Sequence, residues 1–167
     1  YGVRYNEVEL RDGRIDIPKV ITEINDNTKV VAIQRSKGYD QRPSITINEI
    51  EQAIKSIKEV YPNIIIFVDN CSGEFGEEKE PIEVGADLIA GSLIKNPGGG
   101  LAKIGGYIAG RQDLIERCGY RLTAPGIGKE AGASLNSLQE MYQGFFLAPH
   151  VVSQSLKGAL SVSYTHL

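Results

Sequence analysis

Apolar and polar residues follow two periods along this chain, and the two periods predict strands and helices in turn. Residues 7–17 alternate around Asp12-Gly13, a pair typical of a tight hairpin turn. A β-branched run predicts a strand at 29–36, and further apolar runs predict strands at 64–69, 86–94 and 105–110. Helical spacing predicts helices at 17–24, after Thr46, at 113–122 and at 151–160.

The segment after Thr46 carries the strongest helical signal in the sequence. Thr46 and Glu49 have the spacing of a capping box, and Asn63 marks the expected end of the helix. The apolar residues that recur at helical spacing are Ile47, Ile50, Ile54 and Ile57. This segment therefore predicts an amphipathic helix that packs against a sheet.

The order of these elements predicts an α/β fold with a mostly parallel sheet. In such sheets ligands bind beyond the carboxyl ends of the strands. Asp69 ends one predicted strand, Ser92 and Lys95 end the next, and the loop 34–38 follows a third. We therefore expect these polar residues to converge on one edge of the sheet.

Composition narrows the classes of function. The 167 residues are 41% apolar with a formal charge of -3, which fits one globular domain and argues against nucleic acid as the main partner. The longest apolar run, 64–68, is too short to span a membrane, so a cytoplasmic protein is expected. Two cysteines and two histidines predict neither a zinc site nor a disulfide framework.

The two ends of the chain suggest a piece of a longer protein. The chain opens at Tyr1 without a methionine, in a strand-rich region. Residues 161–167 do not continue the helical pattern of 151–160, so they are predicted to be a non-native tail, and His166 is given no role. The expected organisation is a partial domain at 1–160 followed by that tail.

Asp69 and Lys95 each lie where an apolar strand meets a loop. A carboxylate is costly to bury unless it meets a cation or a strong donor, although a strand-end aspartate also commonly caps a loop. An apolar setting favours the neutral amine that attacks a carbonyl, and the glycines at 98–100 would let a planar ligand approach the backbone. A solvated lysine in an ordinary turn fits the same pattern, so both interpretations stay open.

Three further residues are weaker candidates. Ser92 suits a phosphate but is also a common turn former, and Cys71 follows Asp69 closely with no histidine predicted beside it. His150, after Pro149, is expected to precede a helix, where a cap or a packed residue is the ordinary role. The glycines form no nucleotide P-loop because the lysine precedes them.

Together these motifs resemble pyridoxal-phosphate enzymes of fold type I, in the cysteine/methionine-metabolism group. The matching features are Asp69-Asn70, a Pro-x-x-x-Gly-Ala-Asp strand at 81–87, Ser92 to Lys95, and glycines at 98–106. Residues 33–44, 94–102 and 120–130 are similar to bacterial proteins described as methionine gamma-lyase-like or aluminium-resistance proteins. The resemblance implies part of the large domain of a pyridoxal-phosphate-dependent transferase-like fold, a three-layer sandwich.

The resemblance also implies a role for each residue. Lys95 would hold pyridoxal 5'-phosphate as an aldimine and then remove the α-proton of the substrate. Asp69 would pair with the protonated ring nitrogen, Ser92 would bind the phosphate, and Cys71 would contact the ring. Ile94 departs from the pattern, because relatives often have a second hydroxyl there. The ring-stacking aromatic residue and the arginine for the substrate carboxylate are expected outside this chain.

The function that follows from the resemblance is a carbon–sulfur lyase. It would perform β- or γ-elimination on a sulfur amino acid, as a homo-oligomer of full-length chains, whereas the piece alone is expected to be inactive. Alternatives are a γ-replacement transferase, an aminotransferase, or a non-catalytic stress-tolerance protein that retains the fold. The sequence leaves the substrate open.

Overall fold

A computed structural model describes residues 2–132 and 134–165. Its strands are β1 (Val30–Gln34), β2 (Ile65–Asp69), β3 (Leu88–Ser92) and β4 (Gly106–Gly110). Its α-helices are α1 (Ile17–Glu23), α2 (Ile47–Val60), α3 (Gln112–Leu122) and α4 (Leu138–Thr165). Short 3-10 helices lie at Pro81–Val84, Asn96–Gly98 and Gly128–Glu130. Among the described residues, none of the helices is long and apolar enough to cross a membrane.

The strands form one mixed sheet in the order β1-β2-β3-β4. β1, β2 and β3 are parallel, and β4 pairs antiparallel with β3. The predicted α/β fold with a mostly parallel sheet is confirmed. Gln34 is opposite Asp69, and Asp69 is opposite Ala90, so the carboxyl ends of the parallel strands meet at one edge.

Helix α2 covers one face of this sheet. The capping box of Thr46 and Glu49 begins the helix, as the sequence predicts, and Tyr61 caps its end, slightly before the expected Asn63. The buried apolar residues of the helix pack against those that the strands direct to the same face, namely Ile33, Ile66, Val68 and Ile89. Each fully buried side chain of this size contributes about 2 kcal/mol through the hydrophobic effect, so this face anchors the sheet.

The predicted hairpin at 7–17 forms only its turn. Asp12 and Gly13 take left-handed backbone angles, with φ of 52° and 74°, and a single bridge joins Arg11 to Arg14. The two strands that the alternation predicts are absent from the described residues 2–16. A two-stranded ribbon is marginal in water without further strands or a packed helix beside it, and most of these residues are exposed.

Helix α4 is longer than the sequence pattern predicts. It contains both Pro149 and His150, so the expectation that His150 precedes a helix is wrong. It also runs on to Thr165, so the prediction that the helix stops near residue 160 is wrong. Gly144, Ala148 and Val152 form a buried stripe on α4, and this packing offsets the hydrogen bond lost at proline. His166 lies outside the described residues, and the non-native origin of 161–167 stays a prediction.

The carboxylate of Asp87 joins β2, α2 and the start of α3 through hydrogen bonds. Its Oδ2 accepts hydrogen bonds from the backbone N–H of Ile66 in β2 and from Lys58 of α2, both at 2.8 Å, and its Oδ1 accepts one from Arg111 at 3.2 Å. Burial acts to raise the pKa of Asp87, but these donors hold it below its ordinary value. The carboxylate therefore contributes stability that is lost as the pH falls through the lowered pKa.

Replacing Asp87 by alanine is expected to destabilise the protein by about 3 kcal/mol, because it leaves a buried N–H and a half-buried ammonium without their partner. The measurement is chemical denaturation at neutral pH. Asp113→Ala is the matched control, since Asp113 pairs with the same Arg111 at the surface and should change stability by less than about 1 kcal/mol. Equal effects of the two substitutions would contradict a central role for Asp87.

Candidate active site

A hollow of about 380 Å³ lies at the carboxyl edge of β2 and β3. The side chains of Asp69, Cys71 and Ser92 border it, with Phe67 and Ala90 as its apolar lining. Strand alternation explains the set, because Phe67, Asp69, Ala90 and Ser92 all point away from the face that α2 covers. The structure therefore brings together three of the residues that the sequence singles out.

Asp69 and Cys71 form the first side of the hollow. Asp69 Oδ1 accepts a hydrogen bond from the backbone N–H of Cys71 at 3.1 Å. Burial raises the pKa of the Cys71 thiol, and the hydrogen bond and negative charge of Asp69 raise it further, against the opposing effect of Lys95 and the Ser92 backbone. Cys71 is therefore a protonated thiol at neutral pH and lacks the thiolate that a nucleophile requires.

Lys95 lies in the turn that follows β3, close enough to Cys71 for its charge to act on the thiol. Its backbone N–H donates to the carbonyl of Ser92 at 3.3 Å, which closes the turn. The side chain is exposed, so the apolar flank does not desolvate it as the sequence pattern suggested. Ile94 is 59% exposed in the same turn. Lys95 thus borders the same edge without lining the hollow.

The glycines after Lys95 have a packing role in this structure. A Cβ atom at Gly98 would collide with the carbonyl of Leu93, and one at Gly99 would collide with the backbone of Gly144 in α4. The expectation that both residues leave room for a planar ligand is therefore wrong, because the Leu93 carbonyl takes that room at Gly98 and helix α4 takes it at Gly99. Gly100, with φ of 75°, faces open space.

Behind the hollow, on the opposite face of the sheet, polar side chains are buried together. Asn70 is 1% exposed, and its Nδ2 donates to Tyr107 Oη at 3.2 Å. Tyr107 Oη donates in turn to Glu74 Oε1 at 2.8 Å, while the buried Glu74 Oε2 has no partner among the described residues. Burial raises the pKa of Glu74 above its ordinary value. The carboxyl group is therefore less stable in its charged form here than in water.

Glu74→Gln is expected to raise the free energy of unfolding by about 1 kcal/mol at pH 8. Because the pKa of Glu74 is higher in the folded than in the unfolded protein, the carboxyl group lowers the stability of the protein as the pH rises above the unfolded pKa, and glutamine removes this effect. The gain should shrink toward pH 4, where Glu74 is protonated in both states. Thermal unfolding of the full-length protein at both pH values measures it. Glu78→Gln, an exposed residue of the same loop, serves as the control and should show no such trend. A loss of stability at pH 8 would mean that the charged form is required.

Some polar residues of this edge carry no clear sequence signal. Arg35, Glu74 and Glu80 are buried or half-buried, yet each reads as an ordinary strand-end or loop residue, whereas Asn70 is indicated only by the Asp69-Asn70 pair of the resemblance. The only hint is the density of glutamates between 74 and 80, which a solvated loop explains equally well. His150 is exposed on α4 and does not border the hollow.

Comparison with known families gives one match over almost the whole chain. A family described as methionine gamma-lyase matches residues 1–166. The uncharacterized protein YnbB of Bacillus subtilis is 66% identical over 161 residues, which cover 96% of this chain and 38% of YnbB. The chain thus spans well under half the length of that relative.

Solved structures share the fold. A carbon-sulfur lyase involved in aluminium resistance from Clostridium novyi is 47% identical, with a TM-score of 0.89 over 95% of this chain and 38% of that one. The methionine gamma lyase CalE6 from Micromonospora echinospora is 16% identical, with a TM-score of 0.57 over 80% of this chain and 34% of that one. At that low identity, the second likeness concerns the fold alone.

Proposed function

Because the chain belongs to the methionine gamma-lyase family, we propose that it forms the cofactor-binding part of a carbon–sulfur lyase that uses pyridoxal 5'-phosphate. Enzymes of this family depend on that cofactor in general. The proposed reaction is β- or γ-elimination on a sulfur amino acid, carried out by a longer protein in which residues 1–160 are part of the large domain. A homo-oligomer is the proposed assembly.

The observation that carries this proposal is the convergence of Asp69, Cys71 and Ser92 on one hollow, with Lys95 in the adjoining turn. Their chemistry fits the cofactor. A carboxylate suits a protonated ring nitrogen, a hydroxyl suits a phosphate, and a primary amine suits an aldehyde. The apolar lining by Phe67 and Ala90 suits a flat ring.

Bound pyridoxal phosphate supplies an electron sink for negative charge that develops at the α-carbon of an amino acid. Asp69 would accept a hydrogen bond from the ring N–H and keep that proton in place through its negative charge. Ser92 would donate its hydroxyl hydrogen to the phosphate. Ile94 offers no polar group, so other donors would have to supply the remaining phosphate contacts.

Lys95 would have two successive tasks. Its amine would bind the aldehyde covalently, and once a substrate amine has displaced it, the free amine would take the α-proton. The exposed position in a turn gives the side chain the freedom to swing between these tasks. Cys71, held as a thiol, would border the ring as a neutral contact.

Borohydride reduction of the full-length protein, followed by peptide mass mapping, tests the proposal. A pyridoxyl group is expected on Lys95. Lys103→Ala is the matched control, because Lys103 is an exposed lysine that pairs with Glu140 at the surface and should not affect the label. A label on another lysine, or none, would overturn the assignment.

A product assay then distinguishes the reaction types. A lyase releases a thiol, ammonia and a 2-oxo acid from a substrate such as cystathionine or methionine. Exchange of amino groups with a second 2-oxo acid would instead identify an aminotransferase. A γ-replacement enzyme would consume an added thiol and release no ammonia. If the label is found and every reaction is absent, a non-catalytic role for the fold is favoured.

A further inference from the structure

We propose that Arg35 is a positioning residue: from the opposite face of the sheet it fixes the loop 71–80 and the end of β2, and so holds Asp69 and Cys71 at the hollow. The catalytic part of this inference rests on the proposed function. The geometric part concerns the chain alone.

Arg35 is the residue directly after β1 and is only 3% exposed. Its backbone N–H donates to the carbonyl of Asp69 at 3.0 Å, and its own carbonyl accepts from the N–H of Ile45 at 3.0 Å. Its guanidinium donates from Nη1 to Asn70 Oδ1 at 2.7 Å. Arg35 therefore contacts both Asp69 and Asn70, one through its backbone and the other through its side chain.

The same guanidinium anchors the loop 71–80 through two carboxylates. Nη2 donates to Glu77 Oε1 at 2.8 Å, and Nη1 is 3.4 Å from Glu80 Oε2. Glu80 reaches further, because its Oε2 accepts from Asn70 Nδ2 at 2.9 Å and its Oε1 accepts from the N–H of Phe75 at 2.8 Å. The buried guanidinium of Arg35 thus offsets the repulsion between the negative charges of Glu77 and Glu80 in this loop.

The packing around Arg35 leaves little room for adjustment. A Cβ atom added at Gly73 would lie 2.6 Å from the guanidinium, so the loop backbone rests directly on this side chain. Glu77 also accepts from the N–H of Ile47 at 3.1 Å, which joins the loop to the first turn of α2. Arg35 thus holds the Glu77 and Glu80 part of the loop, while Asn96 Nδ2 holds the loop from the turn after β3 by donating to the carbonyl of Glu74 at 2.9 Å.

Strand alternation connects this packing to the hollow. Asn70 and Asp69 are neighbours that face opposite sides of the sheet, as are Gly91 and Ser92. A shift of Asn70 must therefore move both of its neighbours, the Asp69 carboxylate and the backbone N–H of Cys71 that donates to this carboxylate. Displacement of about 1 Å at a reacting group can cost about 100-fold in rate, so the fixing of Asn70 bears on catalysis.

Arg35→Lys in the full-length protein tests the proposal. Lysine keeps the charge but lacks the planar fork in which Nη1 donates to Asn70 and Nη2 donates to Glu77. For the loaded enzyme, kcat is expected to fall about tenfold or more with little change in KM. Arg14→Lys is the matched control, because Arg14 is a surface arginine paired with Glu49.

A second readout needs no cofactor. In the cofactor-free full-length protein, the rate of alkylation of Cys71, followed by peptide mass mapping, reports its burial and its contact with Asp69. If Arg35 holds the loop, Arg35→Lys lowers the pKa of the Cys71 thiol and speeds alkylation at pH 8. The thiolate fraction rises about tenfold for each unit of pKa, and the alkylation rate rises by a smaller factor because a less basic thiolate is a weaker nucleophile. The Arg14→Lys variant should alkylate at the wild-type rate.

The outcomes separate this inference from the proposed function. If wild-type Lys95 takes no label, the proposed function fails, and the alkylation rate alone decides the positioning role. If Arg35→Lys folds with both kcat and alkylation unchanged, Arg35 is merely structural and the inference is overturned. Should Arg35→Lys fail to fold, Glu80→Gln decides by the same two readouts, since Glu80 is more exposed and glutamine keeps its shape.

Discussion

Lys95→Ala in the full-length protein is expected to remove the borohydride-dependent pyridoxyl label and to lower turnover by about 10⁴-fold or more. Alanine supplies neither the amine for the covalent link nor a base for the α-proton, so one substitution removes both tasks. Because Lys95 is exposed in the turn after β3, the protein should fold normally, with a change in stability within about 0.5 kcal/mol. Steady-state kinetics, mass mapping and thermal unfolding provide the three measurements.

Lys103→Ala gives the comparison, because it removes a lysine from the same stretch of chain without touching the hollow. It should retain wild-type turnover and label. Added methylamine is expected to restore part of the turnover of Lys95→Ala, since a free amine can act as the base. Turnover in Lys95→Ala at more than a tenth of the wild-type rate would contradict both roles of the lysine.

The elements with strong local signals are the ones that the sequence predicts correctly. Helix α2 combines a capping box with apolar residues at helical spacing, and both persist in the structure. The strands β1, β2 and β3 follow from their apolar runs. The hairpin at 7–17 fails because alternation alone does not supply a surface to pack against, and only the Asp12-Gly13 turn is locally determined.

Helix α4 shows the opposite case, in which a tertiary contact overrides a local signal. In the sequence, Pro149 favours a helix boundary. In the structure, the backbone of Gly144 packs directly on Gly99, and because this contact stabilises the helix, α4 continues through the proline. The same contact explains why the glycines after Lys95 are needed. Sequence alone offers no means of learning which partner approaches a glycine-rich turn.

The residues at the carboxyl edge of the sheet could be predicted from the sequence, whereas the buried polar contacts on the opposite face of the sheet could not. Parallel strands bring their carboxyl ends together, so Asp69 and Ser92 could be expected at one site from strand order alone. The contacts of Arg35 depend on a loop of irregular turns, where Ser72 and Phe75 take left-handed angles of 65° and 58°. No periodicity governs such a loop, so its burial on the sheet has no signature in the sequence.

Asp69→Asn is expected to lower kcat by about 10³-fold while the label on Lys95 is retained. Asparagine is nearly isosteric and keeps Oδ1 as acceptor for the N–H of Cys71, so the loop should stay in place. What it lacks is the negative charge that would keep a proton on the ring nitrogen, and without that proton the ring withdraws electrons poorly from the α-carbon. The loss should therefore appear in kcat more than in KM.

The absorbance of the bound cofactor and the exchange of the substrate α-proton with solvent measure this effect directly. Slow exchange in Asp69→Asn with intact label would assign the loss to proton abstraction rather than to cofactor binding. Asp113→Asn is the control, an exposed aspartate whose charge is paired with Arg111 outside the hollow. Wild-type exchange in Asp69→Asn would contradict the proposed role. The label requires Lys95, whereas the exchange requires both Lys95 as the base and Asp69 as the partner of the ring nitrogen, so slow exchange with an intact label isolates the role of Asp69.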